Sequence, residues 1–198
     1  MTLQEYVDAL RGKRVAVLGI GVSNSPLIDL LLDNGLPITV CDMRDAAAME
    51  DEAEILSTRG AELRLGEGYL DGLDGFDVIF RTSGLLPIDE HLVSAREHGA
   101  VITSEMEAFF QLCPCRTIGI TGSDGKTTTS SIIAELLRAA GKRVHLGGNI
   151  GKPLLTEIPD IHPDDVAVLE LSSFQLHSIN IRPDVAVVTN VSPNHLDK

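Results

Sequence analysis

The sequence is short of basic residues and cysteines and has no long apolar run, and each shortage narrows what the protein does. Its 16 Lys and Arg stand against 29 Asp and Glu, a formal charge of −13, with a sequence pI near 4.7. Such a field repels nucleic acid and anionic membranes unless a local basic patch overrides it. No Lys- and Arg-rich block is present, so nucleic acid is not an expected partner. No apolar stretch approaches the roughly 18 residues of a membrane-spanning helix, so no membrane insertion is expected. The N-terminal MTLQEYVDALRGKR lacks the apolar core of a secretion signal. The cysteines, Cys41, Cys113 and Cys115, are too few and odd in number for a disulfide framework. Cys113-Pro114-Cys115 has the look of a metal or redox pair, but no second Cys/His pair stands nearby to complete a zinc site. These read as linker thiols of a reducing cytoplasm. Internal repeats and low-complexity tracts are absent as well.

What is present is the material of a globular core. Hydrophobic residues make up 43% of the 198 residues and charged ones 23%, and at about 150 residues per domain this length holds one large or two small domains. Short β-branched runs recur at Val15–Leu18, Ile38–Cys41, Val78–Phe80, Thr117–Ile120, Val166–Leu171 and Val185–Thr189. Continuously apolar, they suit strands buried on both faces of a parallel sheet. Between them, Ser25–Asn34 has Pro26 near its start, Leu27, Leu30 and Leu31 on one face and Gly35 as a stop. Thr127–Ala140 carries Ile132, Ile133, Leu136, Leu137 and Ala140 at helical spacing. Strand and helix alternating in this way predict a doubly wound α/β architecture. SEMEAFFQL reads as a short helix before CPCR, which places a boundary near Ser104–Arg116 and divides the chain into α/β units 1–106 and 107–198.

Four motifs carry chemistry, each at the end of an apolar strand. In Ile118-Gly-Ile-Thr-Gly-Ser-Asp-Gly-Lys-Thr-Thr-Thr129 a strand runs into a glycine loop, Lys126 and Thr127, and then an amphipathic helix. Glycines let backbone N–H groups approach phosphate oxygens, and the helix N-terminus favours negative charge. Lys126 would reach the β/γ-phosphates and the Thr127 hydroxyl would hold Mg2+. Gly19-Ile-Gly21-Val-Ser-Asn24, followed by Asp42 at the next strand end, resembles a dinucleotide fingerprint, but Asn24 stands at the third glycine position. A phosphate-bearing ligand, NAD or FAD, and a structural turn all remain open for it. Glu170, in Glu170-Leu-Ser-Ser-Phe-Gln175, sits where parallel sheets bind ligands and offers the oxygen that a hard cation prefers. His195, in Thr189-Asn-Val-Ser-Pro-Asn-His195-Leu-Asp197, could ligate a metal or hold a phosphate.

Taken in order, GITGSDGKTTT, GGNIGKP, LELSSFQL and TNVSPNHLD resemble the Mur ligases, and the resemblance covers essentially the whole chain. Within that family, ELSSFQL is similar to the members that add D-glutamate to UDP-N-acetylmuramoyl-L-alanine. The resemblance implies a Rossmann-like domain that binds the UDP-substrate and no dinucleotide, followed by the central P-loop domain, a parallel-sheet ATP-binding unit. It implies ATP-dependent amide ligation through an acyl phosphate, in peptidoglycan precursor synthesis, by a monomeric cytoplasmic enzyme using ATP and Mg2+. Carried over residue by residue, Gly122, Ser123, Asp124, Gly125, Lys126, Thr127, Thr128 and Thr129 cradle ATP, with Lys126 on its phosphates. Thr127, Glu170 and His195 match metal-site positions, the last two with a catalytic role beside Lys126. Gly21, Val22 and Ser23 hold the uridine diphosphate, Asp42 and Arg44 flank the uracil or its phosphates, and Ser83 and Gly84 close over the base. Asn149 and Ser172 match contacts to the UDP-sugar substrate.

Two departures qualify this. Asp124 puts a carboxylate where many relatives have Asn, and it is expected to point outward, because inward it would repel the phosphates. The abrupt HLDK end reads as a truncation, inactive alone, and Lys198 does not match the carbamylated lysine of the family. Two other classes stand beside the ligase: a stand-alone nucleotide-binding module of the same ancestry, and a nicotinamide-dependent oxidoreductase built on GIGVSN.

Overall fold

The apolar β-branched runs become the central strands of two parallel sheets. The computed structural model describes residues 1–150 and 152–193, and these fall into two units, Met1–Glu105 and Met106–Lys198. The first unit runs α1 (Leu3–Asp8), β1 (Val15–Leu18), α2 (Asn24–Asp33), β2 (Ile38–Asp42), α3 (Ala46–Met49), α4 (Asp51–Thr58), β3 (Glu62–Leu65), β4 (Val78–Phe80), α5 (Glu90–Glu97) and β5 (Val101–Thr103). Its sheet has the order β3-β2-β1-β4-β5, all parallel, with Val15 opposite Ile38 on one side and Val78 on the other. Every residue of β1, β2 and β4 is buried. Strand order reverses between β1 and β4, which opens a crevice at their C-terminal ends.

The helix α6 (Glu105–Leu112) leads into the second unit: β6 (Arg116–Thr121), α7 (Lys126–Ala139), β7 (Val144–Gly148), β8 (Val166–Glu170), α8 (Ser173–Leu176) and β9 (Val185–Val188). Its sheet is parallel in the order β7-β8-β6-β9. Ile120, Val166 and Val168 form its buried centre, and Ile133, Leu137 and Val187 pack around them. A side chain such as Ile120 contributes roughly 1.5–3 kcal/mol by leaving water, so the fold holds β6 and β8 side by side.

The α/β class and all six strand runs are borne out, with ends shifted by at most one residue. Burial on both faces fails for β9, where Val185 and Val188 are exposed. That strand is the sheet's edge among the described residues, so it has a neighbour on one side only. On α7, Ile133 and Leu137 meet the sheet while Ile132 and Leu136, one residue earlier in each pair, face outward. Among the described residues, no helix is long and apolar enough to cross a membrane.

Candidate functional site

In the first unit the β1–α2 turn is built around two side chains. Asn24, buried at the start of α2, donates through Nδ2 to Leu18 O at 2.8 Å and to Gly19 O at 3.1 Å. It ties the end of the strand to the helix, a task the third glycine of a dinucleotide fingerprint has no side chain to perform. Asp42, buried at the end of β2, accepts from Ile20 N at 2.8 Å, Arg44 N at 2.9 Å and Arg44 Nε at 3.0 Å. Arg44 also reaches Glu52 at 3.3 Å. The N–H groups of Gly21, Val22 and Ser23 have no partner among the described residues, which leaves the start of α2 open to an anion.

A cleft of about 290 Å3 lies beside this turn, walled by Leu18, Gly19, Ile20, Gly21, Asp42, Arg44, Tyr69, Thr82 and Leu85. Of the expected substrate contacts, Gly21, Asp42 and Arg44 line it. Val22 and Ser23 continue from its wall into α2, and Ser83 and Gly84 lie between the wall residues Thr82 and Leu85.

Burial would raise the Asp42 carboxyl, but the hydrogen bonds from Arg44 and the Ile20 N–H outweigh it and hold it below the usual carboxylate range. With the folded pKa below the unfolded value of about 3.9, this stabilisation is complete above that value and is lost as pH falls through the folded pKa. Asp42→Asn is therefore expected to flatten the acid limb of unfolding below about pH 4, followed by circular dichroism. An acid limb that superposes on the wild type's would remove Asp42 from that account.

In the second unit the β6–α7 turn is clasped by the segment after β9. Ser123 N donates to Asn190 O at 3.1 Å and Asp124 N to Asn190 Oδ1 at 3.1 Å. Asn190 Nδ2 and Thr189 Oγ1 both return bonds to Asp124 O, at 2.9 and 2.6 Å. Ser123 Oγ and Ser192 exchange two more. The clasp fits closely enough that a Cβ on Gly122, at φ +136, would overlap Thr189 Oγ1. Lys126 folds back over the loop, its Nζ 2.7 Å from Gly122 O and 2.9 Å from Ser123 O. With Ser123 and Asp124 occupied, the N–H groups from Gly125 to Thr128 have no partner among the described residues. They point from the first turn of a helix of 14 residues, the arrangement that accepts phosphate oxygens. Asp124 itself is exposed.

Glu170 completes this end of the sheet. It is 2% exposed, and its carboxylate accepts from Thr127 Oγ1 at 2.8 Å and from Asn149 Nδ2 at 3.2 Å. Among the described residues no Lys, Arg or His nitrogen pairs with it. A buried carboxylate held by two neutral donors is an incomplete arrangement, because burying an uncompensated charge is costly. A hydroxyl and a carboxylate are also the hard oxygens that suit Mg2+, which draws its remaining ligands from water and phosphate. The donor set thus fits Mg2+, with Glu170 and Thr127 as the residues that would hold it.

Lys126, Thr127, Asn149 and Glu170 are thus brought together. Asn149, expected at the sugar substrate, spends its backbone N–H on Glu170 O at 2.7 Å and its amide on the carboxylate. Ser172 caps α8 in a reciprocal pair with Gln175. His195 lies outside the described residues. The clasp residues Thr189, Asn190 and Ser192 were missed as contributors, although they belong to the motif in which His195 was singled out.

Residues 120–198 match the Mur ligase middle domain. The UDP-N-acetylmuramoylalanine–D-glutamate ligase of Acetivibrio thermocellus is 49% identical over 195 residues, which is 98% of this chain and 42% of that protein. The enzyme of the same name from Clostridium beijerinckii is 51% identical over 193 residues, with the same coverage of 98% and 42%. The chain therefore spans about two-fifths of the length of these curated relatives. In fold, it is similar to the UDP-N-acetylmuramate:L-alanyl-gamma-D-glutamyl-meso-diaminopimelate ligase of Neisseria meningitides, with a TM-score of 0.53, 23% identity and coverage of 92% of this chain and 62% of that one. Over residues 120–198 the chain matches the Mur ligase middle domain, and along nearly its full length it is similar to UDP-N-acetylmuramoylalanine–D-glutamate ligases.

Proposed function

We propose that the chain supplies the UDP-substrate site and the nucleotide-binding turn of an ATP-dependent ligase that joins D-glutamate to UDP-N-acetylmuramoyl-L-alanine in the cytoplasm. The observation that carries this reading is the second unit's strand end. Four open N–H groups, the Lys126 ammonium and the Glu170–Thr127 oxygen pair converge there. The first-turn N–H groups and Lys126 orient a triphosphate by its oxygens, so that charge is met by donors already in place. Glu170, fixed by Asn149 and Thr127, holds Mg2+, which neutralises phosphate charge when bound. In the first unit the open start of α2 receives a diphosphate, and the largely apolar cleft beside it takes a base. Asn24 favours this over a nicotinamide cofactor, because it occupies the space a dinucleotide fingerprint keeps for glycine.

Titration calorimetry on the chain tests the proposal with a non-hydrolysable ATP analogue plus Mg2+, with UDP-N-acetylmuramoyl-L-alanine, and with NADH. One site each for the first two and none for NADH is the expected result. Failure of both nucleotides to bind, or saturable binding of NADH, would overturn it.

A further inference from the structure

The nucleotide reading leaves Cys113-Pro114-Cys115 unused. Cys113 closes the last turn of α6, its N–H donating to Phe109 O at 2.8 Å. Pro114 has no N–H and cannot extend the helix, so the chain turns and Cys115 leads directly into β6. That turn sets the two sulfur atoms 3.6 Å apart. A disulfide needs about 2.05 Å, so closure asks for the two sulfur atoms to approach by about 1.5 Å. The thiols are unequal. Cys113 is half-buried and Cys115 buried. The hydrogen bond between the two thiols pulls the Cys113 thiol down, while the same pairing and burial push Cys115 up. Cys41 is an internal reference, sealed in the first unit's core and pushed up to about 11 by burial.

We propose that Cys113 and Cys115 are a reversible thiol–disulfide site, closed by exchange with a low-molecular-weight disulfide of the oxidised-glutathione class. The Cys113 thiolate attacks one sulfur of that disulfide, an S–S bond forms to Cys113, and one small thiolate leaves and takes up the proton Cys113 lost. Cys115 then gives up its proton and attacks Cys113 Sγ, expelling the second small thiol. Two protein thiols are oxidised and one external disulfide is reduced to two thiols. Attack by Cys113 first follows from its accessibility and lower pKa, since the thiolate is the nucleophile. A ring through so few residues removes little freedom from the unfolded chain, so the bond is weakly stabilised and reopens with a monothiol. That is the behaviour of a switch rather than a staple. It sits at the root of β6, the strand that carries the phosphate-binding turn at its other end.

The test equilibrates the folded chain with mixtures of reduced and oxidised glutathione, quenches with acid, alkylates under denaturing conditions and reads the mass. The expected product has lost two hydrogen atoms, carries alkylation at Cys41 alone, and reverts in excess reduced glutathione. Cys115→Ser is expected to retain a glutathione adduct on Cys113, and Cys113→Ser to stay unmodified. A wild-type chain that keeps a stable adduct with Cys115 still alkylated would overturn the proposal. So would a covalent dimer, or alkylation of all three cysteines after prolonged oxidation. The wild-type masses decide the matter even where a serine variant folds poorly.

Discussion

Gly148→Ala is expected to destabilise the second unit by about 3 kcal/mol. Gly148 ends β7 at φ +107, a backbone conformation that costs any other residue free energy before packing is considered. It is paired in register with Glu170. A Cβ there would overlap Glu170 O and lie 3.0 Å from Glu170 N, both backbone atoms of the buried β8. Neither can yield as a flexible side chain would. The next residue, Asn149, donates its N–H to the same Glu170 carbonyl at 2.7 Å. Displacement of β7 therefore also withdraws the amide that holds the carboxylate. The chain lacks tryptophan, so urea unfolding is followed by circular dichroism, and Mg2+-dependent nucleotide binding is measured on the same sample. Loss of both is the expected outcome. A midpoint unchanged from wild type would mean that β7 and β8 are not in the close register described.

Register of this kind also marks where sequence reading stops. The strands it missed, β3, β5 and β7, are all sheet edges. An edge strand is covered less and carries charged or short segments: Glu62 and Arg64 in β3, three residues in β5, and a buried His145 with two glycines in β7. β3 and β7 lack the continuous apolar run that revealed β1, β2, β4, β6 and β8, whereas Val101–Thr103 in β5 is a run as long as that of β4 and was there to be read. The edge strand β9 was visible only because its valines are apolar although exposed. At the site, Lys126, Thr127 and Glu170 were each legible from a local motif, and Asn149 came only from the family resemblance, as a contact to the sugar substrate. The bond from Asn149 to Glu170 was not legible, because it depends on which strands become neighbours. The Thr189–Asn190 clasp was hidden for the same reason, since its bonds join side chains to backbone across more than 60 residues. Ser172 differs. Its capping partner Gln175 stands three residues on, and the Ser-x-x-Gln spacing of a helix start was there to be read.

Lys126→Ala is expected to weaken binding of an ATP analogue with Mg2+ about a hundredfold while leaving UDP-N-acetylmuramoyl-L-alanine binding unchanged. The ammonium in this structure rests on two loop carbonyls, Gly122 O and Ser123 O, at 2.7 and 2.9 Å. Those contacts keep a flexible side chain close to the open N–H groups at the start of α7. In a site of effective dielectric about 20, a unit charge 4 Å from a phosphate oxygen interacts by about 4 kcal/mol. Desolvation of the ammonium and the loss of its carbonyl contacts oppose that gain, and about 2.7 kcal/mol net corresponds to a hundredfold. The substitution removes no buried apolar contact and leaves the Asn190 clasp intact, so urea stability is expected to change by about 1 kcal/mol or less. Calorimetric titration of both ligands, with the urea midpoint as a control, separates the possibilities. Equal weakening of both ligands would signal general misfolding. An unchanged affinity for the ATP analogue would show that the ammonium serves only the loop's own carbonyls, and the assignment of Lys126 to phosphate would then fail.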